Sequence, residues 1–393
     1  MNMRRKHALI IFLIAFIFLG LNHLSVKAAI NPSEEMIKEQ LKGVETQKIE
    51  QYWDKLMNEY GGFFPENKKS LFDMVLPSRD FKLQSFFVGL LKYFFYEILY
   101  NAKLIGTIIL LTVFSTVLQH IQTAFEKNTV SKVAFAISYM VLIIIAINSF
   151  TVAINSARDA IQEMINFMVA LIPLVLTLLA SMGNAISAAM FHPLIIFLIN
   201  VIGTVVYKVI FPLIFFSAVL SIVSSISDKF QVSQLAKLLR NISVGALGVF
   251  LTIFLGVISV QGMSASVADG VTLRTAKYIT GNFVPVVGKM FSDAADTVIG
   301  ASLLVKNAVG MAGVLILLLI VIFPAVKILT LAFIYNLSAA IMQPLGNSPI
   351  IGTLNMIGKN LIFVFAALAA IGLMFFLALT IIITAGNISV MMR

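Results

Sequence analysis

The run Leu361–Ala385 reads LIFVFAALAAIGLMFFLALTIIITA, 25 residues without a charged side chain. About 20 residues at 1.5 Å each cross the roughly 30 Å of hydrocarbon in a bilayer, so this stretch is long enough to span one. Working back along the chain, runs of similar character occur at about Met311–Tyr335, Val244–Met263, Val209–Ser227, Ala185–Val206, Ile165–Met182, Val133–Ala153 and Lys103–Ile121. Backbone polar groups in lipid must be satisfied internally, which helices achieve one by one. The expectation is an all-α, polytopic integral membrane helical bundle with about seven or eight spans. Composition agrees: 60% of residues are hydrophobic and 12% charged, with a mean hydropathy of +0.99, whereas soluble proteins average about 25% charged residues. Little soluble mass is left to house an enzyme.

The formal charge of +10 does not point to nucleic acid, because the lysines and arginines are scattered between the spans. They fit a lipid bilayer partner and the setting of topology. The absence of cysteine excludes disulfides and thiolate metal sites.

Before the spans, Arg4, Arg5 and Lys6 precede the apolar run Ala8–Leu21, and Val26-Lys27-Ala28 offers small residues to a signal peptidase. Residues 1–28 read as a signal peptide, with an uncleaved anchor helix as the alternative. Residues 29–102 then lie outside the cytoplasm as amphipathic and interfacial helices. Ile37, Leu41, Val44, Tyr52, Leu56 and Tyr60 recur near helical spacing, and Phe86–Tyr100 is rich in aromatic rings suited to the headgroup zone. Two transmembrane helices fill 103–155. The first two spans put Lys127 and Lys132 inside and Arg158, Asp159 and Glu163 outside. Splitting Ala185–Ser227 into two spans keeps Lys229, Lys237 and Arg240 inside as well.

A tandem repeat is suggested by Val-Ile-Phe-Pro at 209–212 and again at 321–324, an offset of 112 that also carries Pro173 onto Pro285. Arg240-Asn241 and Lys359-Asn360 match after a small change of spacing. The halves are 156–263 and 264–393, and the second includes a segment, 264–310, too polar for lipid and too apolar for a free loop. Broken or half-length helices lining a cavity would suit that segment, as would a folded outer loop.

No phosphate loop, dinucleotide fingerprint, zinc motif or nucleophile elbow is present, and His7, His23, His120 and His192 are isolated. No catalytic, cofactor-binding or metal-binding residue is expected. Asp159 and Glu163, one helical turn apart, read as a solvated pair or a cation site. Charges at membrane depth are costly and so usually face a cavity or a partner. Lys208 precedes Pro212 by about one turn and Lys327 follows Pro324 by the same, which makes both pairs candidates for a pathway or a helix break. A short outer turn at Lys208 and a snorkelling Lys327 are the bland alternatives. Lys289, Asp293, Asp296 and Lys306 are candidate cavity-lining residues, or a wet surface.

The whole chain, and most specifically Asp296–Gly310 (DTVIGASLLVKNAVG), resembles the stage III sporulation protein AE family of endospore-forming bacteria. That resemblance implies a multi-pass protein of the mother-cell membrane surrounding the forespore, within a channel-like complex joining the two cells. It implies as partners the ring-forming AG and AH proteins, the ATPase AA, other small membrane subunits and the forespore protein Q, with no catalytic residues and no cofactor. A self-sufficient secondary transporter of a small solute and a structural scaffold without a conduit are the other readings open to the sequence.

Overall fold

A computed structural model describes residues 46–63, 71, 83–124, 129–224, 232–283, 287–345 and 349–391. The expected signal peptide and Pro285 lie outside the described residues. Among these, every regular element is helical: α1 (Gln47–Tyr60), α2 (Leu83–Tyr100), α3 (Ala102–Ala124), α4 (Thr129–Ser181), α5 (Ala185–Val205), a π turn (Val206–Ile210), α6 (Phe211–Ser224), α7 (Ser233–Phe283), α8 (Val287–Met342) and α9 (Pro349–Met391). Several threonine hydroxyls inside the apolar helices turn back to their own backbone, as in Thr112 to the Ile108 carbonyl (2.7 Å) and Thr380 to that of Phe376 (2.8 Å), so these bring no unpaired donor into an apolar surrounding.

Among the described residues, six helices are long and apolar enough to cross a membrane: Ala102–Ile121, Val133–Ser181, Ala185–Ser224, Ser233–Ala276, Ile299–Met342 and Pro349–Ile388. That number roughly fits the seven or eight spans expected, two neighbouring pairs of runs being continuous helices. Between Val133–Ala153 and Ile165–Met182 the charges of Arg158, Asp159 and Glu163 come without glycine or proline, and α4 continues through them. Between Ala185–Val206 and Val209–Ser227 the interruption is the π turn. Pro212 has no N–H to give to the carbonyl four residues back, and the Phe211 N–H reaches Val206 instead, so one widened turn absorbs the defect. The segment 264–310, expected to be irregular, is helical on both sides of 284–286.

Two antiparallel hairpins and α4 form the core. In the first, Ser217 of α6 donates to the Ala236 carbonyl of α7 (2.7 Å) and, further along, Asp269 of α7 meets the start of α5. In the second, α8 and α9 approach at glycines: a Cβ added to Gly310 would stand 2.6 Å from Ile383 Cδ1, and one on Gly372 would stand 2.8 Å from Val321. Small residues permit such contact where lipid supplies no hydrophobic drive between helices. Helix α4 runs antiparallel to α8, with Tyr335 donating to Ser149 Oγ (2.8 Å) and Leu171 lying against Gly313. It runs parallel to α9, with Tyr139 and Thr353 sharing a 2.6 Å hydrogen bond. Helices α7 and α9 are likewise parallel neighbours, joined by Ser266 Oγ to the Ala385 carbonyl (3.0 Å).

Helix α1 has one buried and one wet face. Ile49, Trp53 and Leu56 are buried, while Lys55 on the wet side pairs with Glu163 of α4 at 2.6 Å. Tyr52 packs edge-on to Phe167, and Tyr60 stacks on Phe323 of α8 with ring centroids 3.9 Å apart. Tyr93 of α2 closes this aromatic group edge-on to Phe323 and donates to the buried Glu97 carboxylate (2.9 Å). Burial, with the neighbouring acids Glu59 and Glu97, holds the Tyr60 and Tyr93 phenols well above their ordinary 10.0. A raised phenol stabilises the docked state at every pH below the ordinary value, and that stability is lost as pH rises above it. The chain has one tryptophan, Trp53. Its emission is therefore expected to shift to the red as pH passes 10, and to do so less when Tyr60 and Tyr93 are both phenylalanine.

Candidate functional site

Where α4 turns into α5, the backbone is set by Gly183, whose φ of 87° suits a residue without Cβ. Its N–H bonds the Ala180 carbonyl (2.9 Å) and the Asn184 N–H bonds that of Leu179 (3.0 Å), a Schellman closure of α4. Asn184 then stands at the N-cap of α5, yet its side chain makes no capping bond. The carboxylate of Asp269, on α7, does that work from 83 residues away: it accepts the Ile186 N–H and the Ser187 N–H, each at 3.0 Å. Asp269 is 1% exposed. Two amide donors and the positive end of the helix offset its charge.

Lys306 of α8 enters the same junction. It is fully buried, and its ammonium donates to the Ile383 carbonyl (2.8 Å) and to Asn387 Oδ1 (2.5 Å), both on α9. Between these residues lies Gly386. A Cβ there would clash with Leu179 and stand 2.9 Å from Lys306 Nζ and 3.5 Å from Asn184 Nδ2, so only glycine lets α9 pack this close to Leu179 and to both nitrogens. Asn184 and Ser187 are both 0% exposed, and neither the Asn184 amide nor the Ser187 hydroxyl has a hydrogen-bond partner. Five segments thus bring a carboxylate, an ammonium and unpaired polar groups to one buried place.

A second polar level lies farther along the bundle. The Tyr207 hydroxyl, in the π turn, donates to the Arg158 carbonyl (2.6 Å), and the Arg158 guanidinium lies 5.9 Å from the ring centroids of both Tyr207 and Phe211. Lys208 is exposed beside this contact, while Lys327, one turn past Pro324 in α8, is half-buried. Pro173 is exposed within α4, and Thr177 donates to its carbonyl at 2.8 Å. The backbone of Lys289, Asp293 and Asp296 belongs to the first turns of α8, away from the Lys306 junction along the chain. Lys306 is the expected cavity residue whose side chain is described, and it enters the junction. Glu163 pairs with Lys55 rather than with Asp159 as a cation site.

Reading the sequence missed Asn184, Ser187, Asp269 and Asn387. Asp269 had a signal of its own, as a solitary acid among small residues, but it was absorbed into the segment taken as irregular. Among the described residues no three His, Asp or Glu side chains gather as a metal would require.

Comparison with known proteins adds three findings. Residues 66–386 match the family model described as stage III sporulation protein AE. The chain is 58% identical over 362 residues to the stage III sporulation protein AE of Bacillus subtilis (strain 168), covering 92% of this chain and 91% of that protein. No solved structure matches it.

Proposed function

The chain belongs to the stage III sporulation protein AE family, and on that premise we propose that it is a non-enzymatic membrane subunit of a transport apparatus linking mother cell and forespore, required for forespore development. It works in the mother-cell membrane around the forespore, beside the ring-forming AG and AH proteins, the ATPase AA, the small membrane subunits and the forespore protein Q. The family is named for a stage of sporulation and not for a reaction.

The observation that carries this reading is a mismatch of length. The apolar part of α8, Ile299–Met342, has 44 residues. That is about 66 Å of helix, and even a tilt of about 40° leaves some 50 Å along the normal, against roughly 30 Å of hydrocarbon. Exposed apolar side chains continue on both sides of the Arg158 level. Ile144 and Phe216, 66% and 57% exposed, lie on one side, and Phe197 and Val260, 63% and 61% exposed, lie on the other. One bilayer cannot clad both zones, and exposed apolar patches of that extent mark interaction surfaces. Protein neighbours would cover what lipid does not, which favours a subunit over a self-sufficient transporter.

We also propose that the tandem halves divide differently from 156–263 and 264–393, as the hairpins α5–α7 and α8–α9. Ser266 meets Ala385 at an offset of 385 − 266 = 119, the offset between Arg240-Asn241 and Lys359-Asn360. The proline pair is not matched in level, since Ile210 faces Ser243 and Val321 faces Gly372.

The test is cross-linking in sporulating cells together with reconstitution of the purified chain alone in vesicles. The expected result is cross-links to the complex and no solute flux from the chain by itself. Solute uptake by the chain alone would instead make it a transporter. Unimpaired sporulation after replacing both Lys208 and Lys327 by alanine would favour a scaffold.

A further inference from the structure

We propose that the junction of Lys306, Asn184 and Ser187 is a binding site for a small inorganic anion, with chloride the simplest occupant.

The case rests on which groups are left over. A buried ammonium needs acceptors and a counter-charge. Lys306 finds two neutral oxygens, Ile383 O and Asn387 Oδ1, which leaves its third N–H and its full charge uncompensated. The buried carboxylate of the junction, Asp269, is engaged with the backbone N–H groups of Ile186 and Ser187. By taking over the capping of α5, it also releases the side chain of Asn184, a residue type that ordinarily caps its own helix. The freed Asn184 amide and the Ser187 hydroxyl are fully buried and unpartnered. Native proteins rarely bury such donors without an occupant. Lys306 Nζ and Asn184 Nδ2 are neighbours across Gly386, 2.9 Å and 3.5 Å from where a Cβ on that residue would stand.

One ammonium, one amide N–H pair and one hydroxyl, beside a carboxylate already engaged by two backbone N–H groups, is the donor set of a small anion. A cation is repelled by Lys306. Water would satisfy the hydrogen bonds and leave the charge, so it is the competing occupant. The orientation of the Asn184 amide follows the occupant, its nitrogen turning inward for an anion. The inference concerns the isolated chain and stands or falls apart from the partners proposed above.

The experiment compares thermal unfolding of the purified protein in detergent in chloride with that in gluconate, an anion too large for the site, at equal ionic strength. The expected result is a higher midpoint in chloride, rising with concentration to saturation. Ser187→Ala should weaken the apparent chloride affinity by about tenfold, the usual scale for one hydrogen bond to a charged group. Lys306→Met should abolish the chloride effect and Lys306→Arg should keep it. Equal midpoints in chloride and gluconate for the wild type would leave water alone in the site and overturn the proposal. A chloride effect of unchanged affinity in both Ser187→Ala and Lys306→Met would place the anion elsewhere and overturn it too. If Lys306→Met does not fold, Ser187→Ala alone decides, since it removes one oxygen from a helix whose backbone is already capped by Asp269.

Discussion

Asp269→Ala is expected to lower the stability of the purified protein by several kcal/mol. The carboxylate receives two buried backbone N–H groups at 3.0 Å, and each donor left unpaired costs about 1–3 kcal/mol. A cavity the size of the lost carboxyl adds to this. Asp269→Asn keeps one oxygen and the volume, so it should lose less than alanine does. The measurement is thermal or denaturant unfolding in detergent, with amide hydrogen exchange at Ile186 and Ser187 as the local reading. Faster exchange at these two amides, without change in the α8–α9 hairpin, is the expected signature. Exchange unaltered at both would mean that another group caps α5.

Gly313→Leu carries the second large effect, of opposite physical origin. A Cβ at 313 would stand 2.5 Å from Leu171 Cδ2 and 3.4 Å from Leu379 Cδ2, so a larger side chain must push α8 off both α4 and α9. Overpacking costs typically about 1–3 kcal/mol, and a three-helix contact has little room to relax. The variant is expected to unfold at a lower temperature, with Leu171→Ala in the same chain restoring part of the loss. Failure of the double variant to improve on the single one would show that Leu379 sets the limit.

How much of this was legible in the sequence follows from the range of the forces involved. The apolar runs, the amphipathic α1 and the importance of Pro212 are local matters, and composition or spacing carries them. The fusion across Arg158 and Glu163 is not legible in the sequence, because charges between apolar runs mark a loop as readily as a wet face of a continuous helix. In the structure, the Lys55 side chain from α1 and the rings of Tyr207 and Phe211 meet those charges on a helix that never breaks. The segment from 264 looked irregular because its residues are small and mixed. They are small because Ser266 and Asp269 must approach other helices. Lys306 stood out as a charge in an apolar run. Its partners did not, since Asn387 lies 81 residues away and the cap on α5 comes from 83 residues away.

The wide spacing of those contributors also sets a schedule for making the protein. Asn184 emerges from the ribosome first, Asp269 and Lys306 follow, and Ile383 and Asn387 arrive about 200 residues after the start of the site. Until α9 is inserted, Lys306 has neither of its oxygens, and an unpaired charge at membrane depth costs about 2.5–3.5 kcal/mol. A chain stopped before residue 383 keeps that exposed charge indefinitely. Membrane quality control that recognises unpaired charge can therefore tell a finished chain from a truncated one.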